Sequence, residues 1–335
     1  MKVLIVRVGA LGDVLHALPA VVALRRARPE WEIDWVVDPR WAPLLVDGEG
    51  RGPVVSRVHL AETKLWMRSP ASLRTLRSIL ALRKQLRAER YDLAVDMQGT
   101  LRSAVIGWMS GAKRFAGYGD PREPMAARLY REALARRGER VVEQGAALLG
   151  DACGIALTSA VAELPREAWA DEWAAEFVGG ERLCVLAPGA GWGAKRWPAQ
   201  RFGELAQRLQ ALGFVVGVNA NRKDDALAAE VIAASAGAAQ IAVSSVTGMI
   251  ALLRRAALVV GGDSGPVHLA AALGTPVVAL FGPTDPARNG PWGPGTKAVL
   301  RDGASVTSYK RGAEPDPGLD RISVDKVVQA VTELV

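Results

Sequence analysis

Residues 261–268 read Gly-Gly-Asp-Ser-Gly-Pro-Val-His, where Gly261 and Gly262 let the backbone turn sharply after an apolar strand and into the start of a helix. Helix starts present unpaired N–H groups and a positive dipole end, so a phosphate suits this junction. Ser264 adds a hydroxyl donor, and Pro266 removes only an amide that has no helical partner. His268 falls one helical turn from Ser264. Asp263 can be a plain N-cap here, and His268 a plain interior residue. Capping does not explain why a second Gly-Pro loop, Phe-Gly-Pro-Thr-Asp-Pro at 281–286, returns after the very next strand.

Two further loops hold candidate chemistry. Residues 188–198 read Pro-Gly-Ala-Gly-Trp-Gly-Ala-Lys-Arg-Trp-Pro, a flexible glycine loop that ends in Lys195 and Arg196 just before a helix. A lysine there can neutralise a departing diphosphate. It is not a Walker A loop, because no Gly-Lys-Ser/Thr follows. Near the N-terminus, Gly9-Ala-Leu-Gly12-Asp13 lacks the third glycine of a dinucleotide fingerprint. Asp13 is therefore open to three roles: helix cap, nucleotide contact or proton acceptor. Asp38, at the end of the second strand, has the place of a ribose-binding acid and equally that of a routine strand terminus.

The elements that must position these residues alternate. Strands are expected at 2–8, 32–38, 91–99, 182–191, 214–220, 257–265 and 276–283 from their β-branched, nearly continuous apolar runs. Helices are expected at 13–29, 72–90, 198–213, 224–235 and 323–335 from apolar residues recurring at three and four. The pattern weakens over 151–180 and then restarts, so the chain reads as two doubly wound α/β halves. The informative residues, Asp96 to Gln98 and Asn219 to Asp225 among them, all follow strands. Ligands of such sheets bind outside the carboxyl ends of strands, and a cleft between the halves is the expected site.

Composition narrows the classes. The 335 residues are 50% apolar and 23% charged, ordinary for a soluble globular chain. Residues 1–150 carry 25 Lys/Arg against 16 Asp/Glu, whereas residues 151–335 carry 17 against 19, so the basic excess belongs to the first half. A first half of that charge suits an anionic partner: nucleic acid, an anionic membrane or a phosphorylated substrate. Cys153 and Cys184 have no metal-ligand spacing, and an early arginine and aspartate break up any signal peptide. A cytoplasmic protein without a resident metal is expected.

Taken together, these segments resemble the bacterial lipopolysaccharide heptosyltransferases, glycosyltransferases of family 9 that use ADP-heptose. The resemblance covers almost the whole chain. It is carried by residues 3–20, 94–104, 117–130, 195–198, 262–273 and 281–286, most specifically by Asp-Ser-Gly-Pro-Val-His-Leu-Ala-Ala-Ala-Leu with Gly-Pro-Thr-Asp-Pro. It implies a GT-B fold, with two Rossmann-like domains facing a central cleft. Residues 1–165 would bind the acceptor and 166–322 the nucleotide-sugar donor, with 323–335 a C-terminal helix open to a return to the first domain. The first half is more similar to the enzymes that add the first heptose to Kdo on lipid A. The glycine loop at 189–193 is more similar to those that add the second.

The resemblance also implies roles. Asp13 matches the general base of an inverting, metal-independent transfer, and Lys195 the residue contacting the donor's phosphate and sugar. Ala190, Gly191, Met249, Ser264, Gly265, Pro266 and His268 match the donor site, and Asp263 matches a residue that holds heptose hydroxyls. Asp225 falls where the family carries a glutamate for the ribose hydroxyls, and Asn219 stands where a glycine is common. Gly12, Lys64, Arg68, Gln98, Arg102 and Arg122 match regions near the acceptor, Kdo-lipid A. Helix 72–90 either lies against anionic lipid or packs on the sheet. The rival classes are a nicotinamide-dependent dehydrogenase, for which the fingerprint is missing, and a basic nucleic-acid or membrane-binding module, which leaves the donor motifs unexplained.

Overall fold

The computed structural model describes residues 1–308, 312, 314 and 316–334, so Val335, the end of the expected final helix, lies outside them. The chain divides into two compact units, Met1–Pro165 and Arg166–Val335. The first holds six strands: β1 (Lys2–Val6), β2 (Glu32–Val37), β3 (Arg57–Leu60), β4 (Leu93–Asp96), β5 (Arg114–Tyr118) and β6 (Glu132–Leu134). They pair in parallel in the order β3-β2-β1-β4-β5-β6. The second holds β7 (Leu183–Ala187), β8 (Val215–Ala220), β9 (Gln240–Val243), β10 (Leu258–Gly262), β11 (Val277–Phe281) and β12 (Lys297–Arg301). Their order, β12-β11-β10-β7-β8-β9, is the same topology over again.

The first unit's helices are α1 (Leu11–Ala27), α2 (Thr63–Arg68), α3 (Leu73–Ala88), α4 (Leu101–Met109) and α5 (Val141–Cys153). Those of the second are α6 (Ala168–Val178), α7 (Ala199–Ala211), α8 (Ala226–Ala234), α9 (Val246–Arg255), α10 (Gly265–Leu273), α11 (Pro286–Asn289), α12 (Pro317–Arg321) and α13 (Val324–Leu334). The central strands are apolar on both faces because helices cover both. On one face of the first sheet, Leu4, Val6 and Ala94 pack with Leu82 and Leu86 of α3 and Ile106 of α4. In the second, Leu186, Val216 and Val218 pack with Phe202, Leu205 and Leu209 of α7.

Register places the functional loops. Val6 of β1 lies opposite Asp96 of β4, so these two central strands end side by side. The chain leaves β1 toward β2 and leaves β4 toward β5, which parts the connections and opens a crevice at the strand ends. In the second sheet Ala187 of β7 lies opposite Gly261 of β10, and the same parting follows.

Two expectations need correction. The first helix begins at Leu11, two residues before the apolar pattern, so Asp13 sits in its third position and not at its cap. Gly261 and Gly262 belong to β10 and not to a turn after it. The final helix packs within the second unit, where Val324, Val327 and Val331 enter the core formed by α7 and the second sheet. Both cysteines are free thiols, and burial pushes Cys153 up to about 12.

Trp197 ties this last segment in place. Its ring is buried edge-on to Phe202, with centroids 4.9 Å apart, and its Nε1 donates to the Ile322 carbonyl at 2.9 Å. Trp197→Ala is expected to cost about 3–5 kcal/mol, read as a lower urea midpoint for the second unit. An unchanged midpoint would show that the segment is held elsewhere.

Candidate functional site

The second unit gathers its charges at the ends of β7 and β10. The loop after β7 closes in one 3₁₀ turn, Gly193–Lys195, before buried Trp197 anchors it. Gly262 permits this path, because a Cβ there would stand 2.6 Å from the Lys195 carbonyl oxygen. Lys195 Nζ consequently forms an ion pair with Asp263 Oδ2 and lies 4.2 Å from the centroid of the Trp192 ring.

Asp263 does not cap α10. Ser264 takes the N-cap position, and the Asp263 carboxylate instead meets His268 Nε2 at 2.8 Å and accepts from Thr284 Oγ1 at 2.7 Å. Burial raises the Asp263 pKa, but the His268 hydrogen bond and the charges of His268 and Lys195 outweigh it. The carboxyl is held well below the usual range. The Ser264 hydroxyl oxygen is buried and makes no hydrogen bond among the described residues. Gly265 and Pro266 open the first turn of α10 beside it. A buried unpaired hydroxyl beside free helix amides and a lysine fits an anion such as a diphosphate.

The other donor candidates sit on neighbouring elements. Ala190 and Gly191 lie in the loop after β7. Asp225 caps α8, its Oδ1 accepting from the Ala228 amide at 3.1 Å, and Met249 is buried on α9. Neither Asp225 nor Met249 shares a hydrogen bond with the Lys195–Asp263 group among the described residues.

In the first unit a second carboxylate follows β1, the counterpart of β7. Asp13 Oδ2 accepts the Ala10 amide at 2.9 Å, so the residue caps α1 from inside the helix. Oδ1 lies 3.0 Å from Arg7 Nη2, and the side chain remains 39% exposed. Partial burial raises its pKa, but Arg7 and the Ala10 amide, with the charges of His16 and Arg122, bring it below the ordinary carboxylate value. Asp13 is thus ionised at neutral pH and still open to solvent.

The loop after β4 is locked to that centre. Gln98 Oε1 accepts the Val8 amide at 2.8 Å, and an Arg7 guanidinium nitrogen donates to the Met97 carbonyl. Buried Asp96 accepts from the amides of Gln98 and Gly99, from Ser103 Oγ and from the Tyr130 hydroxyl at 2.7–3.1 Å, which fixes the loop from below. Gly99 takes φ +73° and passes so close to Arg122 that a Cβ would stand 3.1 Å from its amide nitrogen. Gly12 and Arg122 therefore belong with Asp13. Lys64 and Arg68 are exposed on α2, where the Lys64 charge acts on Asp38. Arg102 is exposed on α4 and donates to Met67 Sδ at 2.9 Å. Asp38 itself is held by Arg40, as a strand terminus would be.

Arg7, Thr284 and Tyr130 were not singled out from the sequence. A cation at the end of an otherwise apolar strand was the available signal for Arg7. Thr284 stood inside the Gly-Pro-Thr-Asp-Pro loop.

With this geometry in view, comparison with known proteins is decisive. Residues 79–313 match the family model described as glycosyltransferase family 9 (heptosyltransferase). Lipopolysaccharide heptosyltransferase 1 of Pseudomonas aeruginosa is 34% identical over 88% of this chain and 82% of its own. That of Escherichia coli K12 is 29% identical over 88% and 91%. The solved structure of the Escherichia coli heptosyltransferase WaaC with ADP superposes with a TM-score of 0.79 at 26% identity, covering all of both chains. Two Rossmann-like units, each with its polar groups at the parting of its central strands, form the GT-B architecture, and this chain belongs to glycosyltransferase family 9, the heptosyltransferases.

Proposed function

We propose that this chain moves heptose from ADP-heptose to the Kdo of lipid A, the first heptose transfer of the lipopolysaccharide inner core. The observation that carries the donor assignment is the buried Ser264 hydroxyl at the start of α10, unpartnered among the described residues, with Lys195 paired to the neighbouring Asp263. The relative named heptosyltransferase 1, at 34% identity, supports the acceptor assignment.

In this reading the acceptor hydroxyl oxygen attacks the anomeric carbon of heptose while the bond from that carbon to the diphosphate oxygen breaks. The configuration inverts, ADP leaves from the opposite face, and the hydroxyl proton passes to Asp13. Lys195, Ser264 and the free amides of the first turn of α10 stabilise the charge that develops on the diphosphate. That set serves the diphosphate without a divalent metal. Asp263 accepts from heptose hydroxyls, and His268 orients it and reaches the same phosphates. Asp225 offers its second oxygen to the ribose, and Ala190, Gly191 and Met249 complete the donor site. Gly12, Lys64, Arg68, Gln98, Arg102 and Arg122 receive the phosphorylated acceptor. Because that acceptor is a membrane lipid, the enzyme works at the cytoplasmic face of the inner membrane.

Arg7 supplies a second constraint. It holds Asp13 ionised and oriented, so the base is ready at neutral pH and accepts a proton only as the new bond makes the hydroxyl acidic.

Asp13→Ala is expected to lower kcat about 10²–10⁴-fold, followed as ADP release from ADP-heptose with Kdo-lipid A, while ADP still stabilises the protein in a thermal shift. Transfer at the wild-type rate would remove Asp13 as the base. Transfer only to an acceptor that already carries one heptose would assign the second transfer instead. Arg7→Gln removes the positive charge that depresses the Asp13 pKa, so the acid limb of the kcat/KM profile should move to higher pH. A limb that stays in place would mean that Arg7 does not set the base. Turnover should survive EDTA, and its abolition would overturn the metal-free reading.

A further inference from the structure

The helix α3 has two apolar faces, and only one of them is used by the fold. Thr75, Leu82 and Leu86 are buried against the sheet. Leu73, Leu76 and Leu80, on the opposite side of the helix, are at least half exposed, with Leu73 at 70%. The neighbouring helix α4 repeats the pattern. Ser103, Ala104 and Gly107 face inward, whereas Leu101, Val105 and Trp108 form an exposed stripe at spacings of four and three, Trp108 at 57%.

These two helices lie beside each other on one face of the first sheet, joined where Arg87 of α3 donates to the Met109 carbonyl of α4. Scattered exposed leucines need no explanation, but two adjacent helices that each carry an exposed apolar stripe do. The outer face of α3 is basic throughout, and the nearby acids are engaged at its edges, Glu62 with Ser78 Oγ and Glu123 with the Leu101 amide. Helix α3 carries Arg74, Arg77, Arg83, Lys84 and Arg87 and no acidic residue along its length. All five are exposed. Leucines and a tryptophan flanked by arginine and lysine form the pattern of a surface that seats in the headgroup region of an anionic bilayer. A second copy of the same face would bring like charges together, which disfavours self-association. The face also continues into Arg68, at the end of α2, and Arg102, at the start of α4, two of the residues assigned to the acceptor.

We propose that the outer faces of α3 and α4 are the membrane-docking surface of this protein, with Leu73, Leu76, Leu80 and Trp108 entering the interface and the α3 cations pairing with anionic lipid phosphates. The docking rests on the proposed lipid-linked acceptor for its purpose and on the surface itself for its evidence. No helix among the described residues is long and apolar enough to cross a membrane, so the contact is one of lying on the surface.

The test is co-sedimentation of the full chain with vesicles of phosphatidylcholine alone or mixed with phosphatidylglycerol. The wild type should bind the anionic vesicles and release at high salt. Leu76→Gln with Leu80→Gln, and separately Arg77→Gln with Lys84→Gln, should each weaken that binding at least about tenfold. These are exposed positions outside the catalytic and substrate sites, so ADP should still stabilise both variants. Their transfer to a detergent-dispersed acceptor should also match the wild type. Wild-type protein that ignores anionic vesicles, or variants that bind as the wild type does, would overturn the proposal. So would a dimer that the leucine variant converts to a monomer while vesicle binding is unchanged. A chain that binds vesicles through this face and transfers no heptose would leave the docking surface standing and overturn the catalytic reading.

Discussion

The feature on which both sites depend is the parting of the chain at the ends of two adjacent parallel strands. Where β1 and β4 end side by side, one connection goes left and the other right. The same occurs at β7 and β10. Backbone groups at those strand ends must find partners, and here loop side chains supply them: Gln98 accepts the Val8 amide, and Asp96 accepts those of Gln98 and Gly99. The loops are held rigidly by such bonds, which is what positioning a reacting group requires.

One topology, used twice, sets two aspartates in different electrostatic surroundings. Asp263 is buried and surrounded by Lys195, His268 and Thr284, so its charge is fixed. Asp13 pairs directly with Arg7 and one amide and keeps an exposed edge. The first environment suits holding a polar ligand against cations. The second suits a group that must exchange a proton with something arriving from outside. The division of labour follows from burial and partners, since the residue type is the same.

Much of this was legible in the sequence, and the failures have physical causes. The long apolar runs of β1, β4, β7, β10 and β11 and the periodicity of α7 and α13 identify themselves, because central strands and amphipathic helices must satisfy strong burial constraints. The edge strands β3, β6 and β9 are short and partly polar, so no run of apolar residues announces them. The start of α1 was misplaced because Ala10, with an extended backbone, supplies no capping side chain, and the carboxylate that satisfies its amide lies three residues inside the helix. Asp263 looked like a cap because its neighbours in the chain are a helix start. Its actual partners lie 68, 21 and 5 residues away in sequence, and the first two are invisible to local spacing. The buried set of Asp34, His59 and Tyr91, linked by hydrogen bonds of 2.7–2.8 Å, escaped for the same reason.

Helix α3 shows where periodicity misleads in the other direction. A basic amphipathic helix invites a choice between packing on the sheet and facing lipid, as though it had one apolar side. Leu82 and Leu86 take the sheet, and the leucines at 73, 76 and 80 remain outside. The core needed only a narrow stripe, because Leu4, Val6 and Ala94 present a surface already shared with α4. An apolar surplus left in water costs solubility, and folding gives it no compensation. The basic excess of the first 150 residues has the same character: it is concentrated where the sheet does not require it. Both surpluses become intelligible on the proposed reading, in which the first unit works against an anionic lipid surface while the second, built on the same topology, handles a nucleotide sugar.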